Sequence, residues 1–127
     1  MLIGELAERA GTSPRTLRYY EEHGLVRAQR SANGYREYEE SELRVVREIR
    51  ALLDVGFGLD DVRPFVACLR AGNTSGDVCP DSVLVLRRKI VEVDAVIDRL
   101  GAVRQQLHSQ LTQAIAHREK TCLRKRK

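Results

Sequence analysis

Between Val83 and Ala114 the sequence carries apolar side chains at alternating steps of three and four. The positions are Val83, Leu86, Ile90, Val93, Ile97, Leu100, Arg104, Leu107, Leu111 and Ala114, and nine of the ten are apolar. A seam of that period belongs to a coiled coil. A helix from Pro80 to about Arg118 would span roughly 58 Å at 1.5 Å per residue. A domain built from the roughly 80 residues before it is too small to cover that seam, so a second helix must. A homodimer is the simplest source, with Ile90, Val93, Ile97, Leu100, Arg104, Leu107 and Leu111 as contact positions. Arg104, the polar member, sets register or orientation at some loss of stability.

The preceding residues read as short helices separated by turns. Ile3, Leu6, Ala7 and Ala10 fall on one helical face, and Gly11 follows where a left-handed cap is common. Ser13 then caps a second helix that starts at Pro14 and stops at Gly24, near His23. Two short helices joined by a glycine-containing turn form a helix-turn-helix. From Leu25 to Tyr38 the helical period is lost. Asn33-Gly34 between extended segments predicts a hairpin with a type I′ turn, its strands near 26–27 and 35–36. A third helix opens at Ser41 and Glu42, carries Leu43, Val46, Ile49, Leu52 and Leu53 inward, and ends at Gly56. A fourth runs from Leu59 to about Leu69, and Pro64 either kinks it or moves its start to Asp61. The expected fold is mainly α: a winged helix-turn-helix domain with a small β-hairpin wing, then a long coiled-coil dimerisation helix. Residues 1–70 form the DNA-binding domain with its helix pair, 71–79 a turn-rich linker, 80–118 the dimerisation helix and 119–127 a basic tail.

Charge enters through its distribution. The net +4 and pI near 9.2 come from the last ten residues, which carry six basic groups and one acidic; the other 117 hold 16 basic and 17 acidic. A nucleic-acid surface must therefore come from a local cluster. Residues 15–36 supply one, with Arg15, Arg18, Arg27, Arg30 and Arg36 against Glu21 and Glu22. Within TLRYYEEHGL the neighbouring tyrosines point about 100° apart. Leu17 and Tyr20 face the core, while Arg15, Thr16, Arg18 and Tyr19 occupy the part of the second helix that enters a major groove. The wing adds Arg30, Asn33, Gly34, Tyr35 and Arg36, and Tyr38 reaches a phosphate through its hydroxyl. The blander alternatives are packing residues with a solvated face, and a plain hairpin. No apolar run approaches the ~20 residues of a membrane span, and no signal peptide precedes the first helix. A cytoplasmic protein is expected, without membrane contact. No phosphate-cradling glycine loop, nucleophile elbow or metalloprotease motif is present, so catalysis is not expected.

The segments IGELAERAGTSPRTLRYYEEHGLV and NGYREYEESELRVVREIRALLDVGFGLDDVRPFV resemble the amino-terminal domain of the MerR family of bacterial transcription regulators, over residues 2–70. The resemblance implies a homodimer joined by an antiparallel helix, bound to double-stranded promoter DNA with a pseudo-palindromic site and a long spacer. It implies that Arg18 and Tyr19 contact DNA, that the DNA is distorted on activation, and that RNA polymerase is a partner. The rival readings are an effector-independent architectural DNA-binding protein and a coiled-coil protein-interaction module.

The signal rests on cysteine chemistry and stays open at this level. In the zinc and mercury sensors of that family a cysteine at the position of Cys79 is a metal ligand, completed by cysteines of the other subunit. Here Cys79 with His117 and Cys122 of a second copy would offer thiolate and imidazole to zinc or another thiophilic metal ion. Against that set, Cys122 lies inside the cationic TCLRKRK. Alternatively Cys79, at a helix N-terminus, is a reactive thiol that pairs with Cys68 on oxidation. The remaining alternative is that Cys68 is a small core residue and no cysteine senses anything.

Overall fold

The computed structural model describes residues 1–126, with side chains as far as Thr121. Two compact units make up the chain, Met1–Leu86 and Arg87–Lys127. The first holds helices α1 (Ile3–Ala10) and α2 (Pro14–Glu22), the strands β1 (Gln29–Arg30) and β2 (Arg36–Glu37), helices α3 (Glu40–Val55) and α4 (Leu59–Arg70), and the start of α5 (Pro80–Arg126).

Helix α1 ends as its sequence dictates. Gly11 takes φ 70°, and the Gly11 and Thr12 N–H groups donate to the Glu8 and Ala7 carbonyls at 3.1 and 2.9 Å, the 5→2 and 6→1 bonds of a Schellman cap. Ser13 begins α2, its Oγ accepting from the Thr16 N–H at 3.2 Å with Pro14 at the first helical position. Leu6, Leu17, Leu25, Val46, Ile49, Val62 and Phe65 form the innermost core, each no more than 2% exposed. Burying each is worth about 1.5–3 kcal/mol by transfer alone. Phe57 tilts against Phe65 with ring centroids 5.8 Å apart.

The hairpin departs from its expected position. The strands pair Gln29 with Glu37 and Arg30 with Arg36, so the first strand lies three residues later than 26–27 suggested. Leu25 and Val26 are adjacent and both 2% exposed. Successive buried residues cannot alternate faces as a half-exposed strand would, so the chain leaves the core before it pairs. The turn also differs from type I′, which needs positive φ at both central residues. Only Gly34 has positive φ here, 82°. The Gly34 N–H donates to the Ser31 carbonyl at 2.9 Å, and the Ser31 N–H to Tyr35 at 2.8 Å. That is a β-turn closed by a left-handed glycine, the longer-loop solution to the same reversal.

Helix α3 starts at Glu40, with Glu39 as its extended cap residue, rather than at Ser41. Acidic Glu40 and Glu42 in its first turn complement the helix dipole. Helix α4 begins at Leu59 and carries Pro64 inside, which resolves the choice left by the sequence: the proline forfeits one backbone bond without ending the helix.

Residues 71–79 are packed rather than loose. The Arg44 guanidinium donates to the Thr74 carbonyl at 2.8 Å, and the Asn73 amide to the Cys68 carbonyl at 2.9 Å. Gly76 is buried, and a Cβ there would stand 3.0 Å from both the Phe65 carbonyl oxygen and Glu48 Oε1. Cys68 and Cys79 close this loop as a disulfide, their Cα atoms 5.8 Å apart. The second unit is the remainder of α5, which continues past position 118 to Arg126. Its apolar residues, Ile90, Val93, Ile97, Leu100, Val103, Leu107, Leu111 and Ile115, are all exposed. No helix among the described residues is long and apolar enough to cross a membrane.

Candidate nucleic-acid interface

Helix α2 presents its two faces as the adjacent tyrosines require. Leu17 and Tyr20 are buried, 0% and 5% exposed, whereas Tyr19 is 47% exposed. Burial pushes the Tyr20 phenol above its ordinary range. Tyr19 packs its ring against His23, with centroids 4.3 Å apart. Arg15 and Arg18 are exposed and make no hydrogen bond or ion pair among the described residues. Thr16 is half-buried, with its hydroxyl 3.0 Å from Ser13 Oγ, so it serves the cap and borders the outer face together.

The wing lies beside this helix through a specific contact. Arg36 donates to Glu21 Oε2 at 2.9 Å, and the Tyr38 hydroxyl donates to the same oxygen at 3.4 Å. Arg30, Asn33, Gly34 and Tyr35 are exposed, Tyr35 to 67%. Tyr38 is 2% exposed, its ring part of the core and its hydroxyl directed at Glu21. Burial, and then the Glu21 charge, hold that phenol above its usual range. Arg36 keeps about half of its side chain exposed, so it joins the wing to α2 while remaining reachable.

Arginines that the sequence pattern did not mark anchor the helix ends. Arg50 donates to the Ala10 carbonyl at 2.5 Å and Arg63 to the His23 carbonyl at 2.8 Å. Each satisfies a free carbonyl at the negative end of a helix dipole. Arg70 donates to both Glu42 oxygens, at 2.7 and 3.1 Å, and to the Leu25 carbonyl at 2.9 Å. Glu42 also accepts the Arg27 N–H at 3.2 Å. No periodicity flags such residues, because their partners lie 28 to 45 positions away.

Helix α2 with its capped start, its exposed cationic face and a wing held against it is a unit for reading duplex DNA. The sequence profile described as MerR HTH family regulatory protein matches residues 1–67, and that described as MerR, DNA binding matches 43–110. The chain belongs to the MerR family. As a MerR regulator it is 32% identical over 107 residues to the HTH-type transcriptional regulator HmrR of Rhizobium leguminosarum bv. viciae, covering 84% of this chain and 81% of that one. It is equally 32% identical over 106 residues to ZntR of Escherichia coli K12, covering 83% and 74%. Among solved structures it resembles PbrR691 of Ralstonia metallidurans CH34 in complex with lead(II), with TM-score 0.69, 26% identity and coverage of 86% and 83%. It also resembles HiNmlR, a MerR family regulator lacking the sensor domain, bound to promoter DNA, with TM-score 0.57, 25% identity and coverage of 79% and 74%. This MerR protein is thus a DNA-binding transcription regulator and not an enzyme.

The other expected residues divide. The Cys79 sulfur is bonded to Cys68 Sγ, and the Asn73 amide donates to it at 3.4 Å. His117 sits on α5 with its carbonyl accepting from Thr121 Oγ1 at 3.0 Å, and the Cys122 side chain lies outside the described residues. Among the described residues no group of three or more His, Cys, Asp and Glu side chains stands where it could hold a metal ion. On α5, Leu100, Val103, Arg104, Leu107, His108 and Leu111 border an open apolar groove of about 390 Å³.

Proposed function

We propose that the chain acts in the bacterial cytoplasm as a homodimer on a pseudo-palindromic promoter, distorts that DNA, and works on RNA polymerase bound there. The observation that carries the reading is the exposed apolar stripe of α5, from Ile90 to Ile115, in a chain whose DNA-reading unit has one recognition helix. One such helix reads one half-site, and two-fold symmetry supplies the second. A second copy is also the surface whose period matches the stripe. The DNA-bound HiNmlR supports the choice of promoter duplex as ligand.

Arg15, Thr16, Arg18 and Tyr19 take the major groove, with Arg18 directed to guanine or phosphate. Arg30, Asn33, Tyr35 and Arg36 take the backbone and minor groove beside it. Distorting a site of this length is an outlay of a few kcal/mol, drawn from these contacts. The input is thiol oxidation at Cys79. A metal ligand there would need a free thiolate, and in this fold that sulfur is engaged by Cys68.

Binding-site selection from random duplexes, followed by titration at several salt concentrations, tests the reading. The expected result is a two-fold symmetric site, a dimer by sedimentation, a steep salt slope and loss of specific binding in Arg18→Ala. A monomer at micromolar concentration, or no enrichment of any sequence, would overturn it. If output from that promoter ignores peroxide and zinc alike, the protein is architectural rather than a sensor.

A further inference from the structure

The cysteine pair sits one step from the contacts that hold the wing in place. Cys68 lies in the last turns of α4, and Arg70, two residues on, ends that helix. Arg70 is the residue that grips Glu42 at the start of α3 and the Leu25 carbonyl at the exit from α2. Glu42 is 5% exposed and also receives the Arg27 N–H, so one carboxylate joins Arg70 of α4 to the segment leading into the wing. On the other side of the cysteines, Asn73 bonds to the Cys68 carbonyl and the Cys79 sulfur, and Gly76 fits against the Phe65 carbonyl. The disulfide, the loop and the arginine clasp therefore form one continuous set of contacts within the first unit.

We propose that the redox state of Cys68 and Cys79 is transmitted to the wing through Arg70, so that the pair regulates DNA affinity. The proposal rests on the reading of Cys79 as the thiol input and adds its partner, its oxidant class and its route. The oxidant is a hydroperoxide. Cys68 is buried, 2% exposed, while Cys79 is part-exposed, so the oxidant meets Cys79 first. The Cys79 thiolate attacks the distal peroxide oxygen, the O–O bond breaks, and the departing alkoxide, or hydroxide when the oxidant is hydrogen peroxide, takes up a proton to leave as the alcohol or as water. The Cys68 thiolate then attacks the sulfenic sulfur, the S–S bond forms, and hydroxide leaves as water with the Cys68 proton. Two thiols are oxidised and one peroxide is reduced. A dithiol reductant reverses the step. With Cα atoms 5.8 Å apart, the pair meets the backbone requirement for a bridge.

Once formed, the bridge ties the end of α4 to the start of α5 and removes the freedom of the 71–79 loop. Arg70 is then held at Glu42, and the segment entering the wing is ordered before DNA arrives. The oxidised protein therefore binds its duplex more tightly, because less ordering remains to be done on binding. Cleaving the bridge returns that freedom to Arg70 and to the Leu25–Arg27 backbone.

The experiment uses the intact chain and the duplex it selects. The protein is reduced with dithiothreitol or oxidised with equimolar hydrogen peroxide, and thiol alkylation read by mass records the state of each cysteine. Wild type is expected to bind about tenfold tighter when oxidised, within the usual range of coupling between sites, and its Arg27 amide to exchange more slowly with solvent hydrogen. Cys68→Ser should bind alike under both treatments. Glu42→Gln and Arg70→Lys should still form the bridge yet lose most of the tenfold difference. If wild type binds equally in both states, the thiol-input reading itself fails. If wild type responds but Cys68→Ser or both clasp variants respond as fully, the input stands and this route is overturned. Unchanged exchange at Arg27 in the wild type would overturn the route without any variant.

Discussion

Tyr19 and Arg36 divide the work of the proposed DNA-contacting surface. Tyr19 is about half exposed and packs against the His23 ring. Replacing it with Phe or Ala should change which bases are preferred, by about 1–3 kcal/mol at one position of the site. Arg36 is tied to Glu21 while half of it remains in solvent. Arg36→Ala should weaken specific and random duplexes alike and lower the salt slope by about one, as read by titration from low to high salt. Gly76 is constrained by space rather than by a base. A methyl group there would press on the Phe65 carbonyl at 3.0 Å, and backbone does not yield cheaply. Gly76→Ala should cost about 1–3 kcal/mol in urea unfolding. The split of Tyr19 from Tyr20 was legible in the sequence because helical geometry alone separates neighbours. The burial of Tyr38 was not, since it depends on α2 bringing Glu21 over its hydroxyl.

Helix boundaries followed local chemistry wherever that chemistry was local. Ser13-Pro14 starts α2, and Gly11 and Gly56 end α1 and α3 with left-handed φ. The hairpin was legible as an element but not in its register, because burial of Leu25 and Val26 in the shared core displaced the first strand. Nor could composition distinguish a packed 71–79 loop from a free one. Its small polar residues are what a linker would use, yet here they serve close packing against α3. Glu48 on α3 reports that packing. Burial, and then the Asp77 charge, raise its carboxyl above the ordinary value. A raised carboxyl binds its proton more tightly in the folded state, so stability falls as pH rises through the window from the unfolded pKa to the folded one. The penalty is complete above that window and absent below it. Glu48→Gln should therefore raise the unfolding midpoint relative to wild type at pH 7, and the gain should vanish near pH 3.

Across the whole molecule, the family and its DNA-reading unit were legible because they rest on short motifs with fixed spacing. The long helix α5 was legible for the same reason, as a period, and its apolar residues are exposed. The Cys68–Cys79 bridge was one alternative among three, since connectivity requires knowing how the loop between them folds. Eleven positions separate the cysteines, and closing a loop of that order stabilises a chain by about 3 kcal/mol in the entropic account. Reduction of the intact protein should lower its urea stability by roughly 2–3 kcal/mol, and Cys68→Ser should show the same loss without reductant.

The Glu42–Arg70 pair has a further property, which concerns exchange. Exposed pairs such as Arg9 with Glu40, 40% and 71% exposed, can trade places because water accommodates either order. Glu42 and Arg70 cannot, because each also answers to a backbone group of fixed polarity. The Arg27 N–H points at the carboxylate and the Leu25 carbonyl at the guanidinium. In the double swap Glu42→Arg with Arg70→Glu, a donor would face a donor and an acceptor an acceptor, although total charge is unchanged. That variant should be no more stable than either single replacement, each of which costs about 3–5 kcal/mol by stranding a buried charge, and thermal unfolding of the set would read it. Two residues 28 apart thus carry an orientation that charge conservation alone does not preserve.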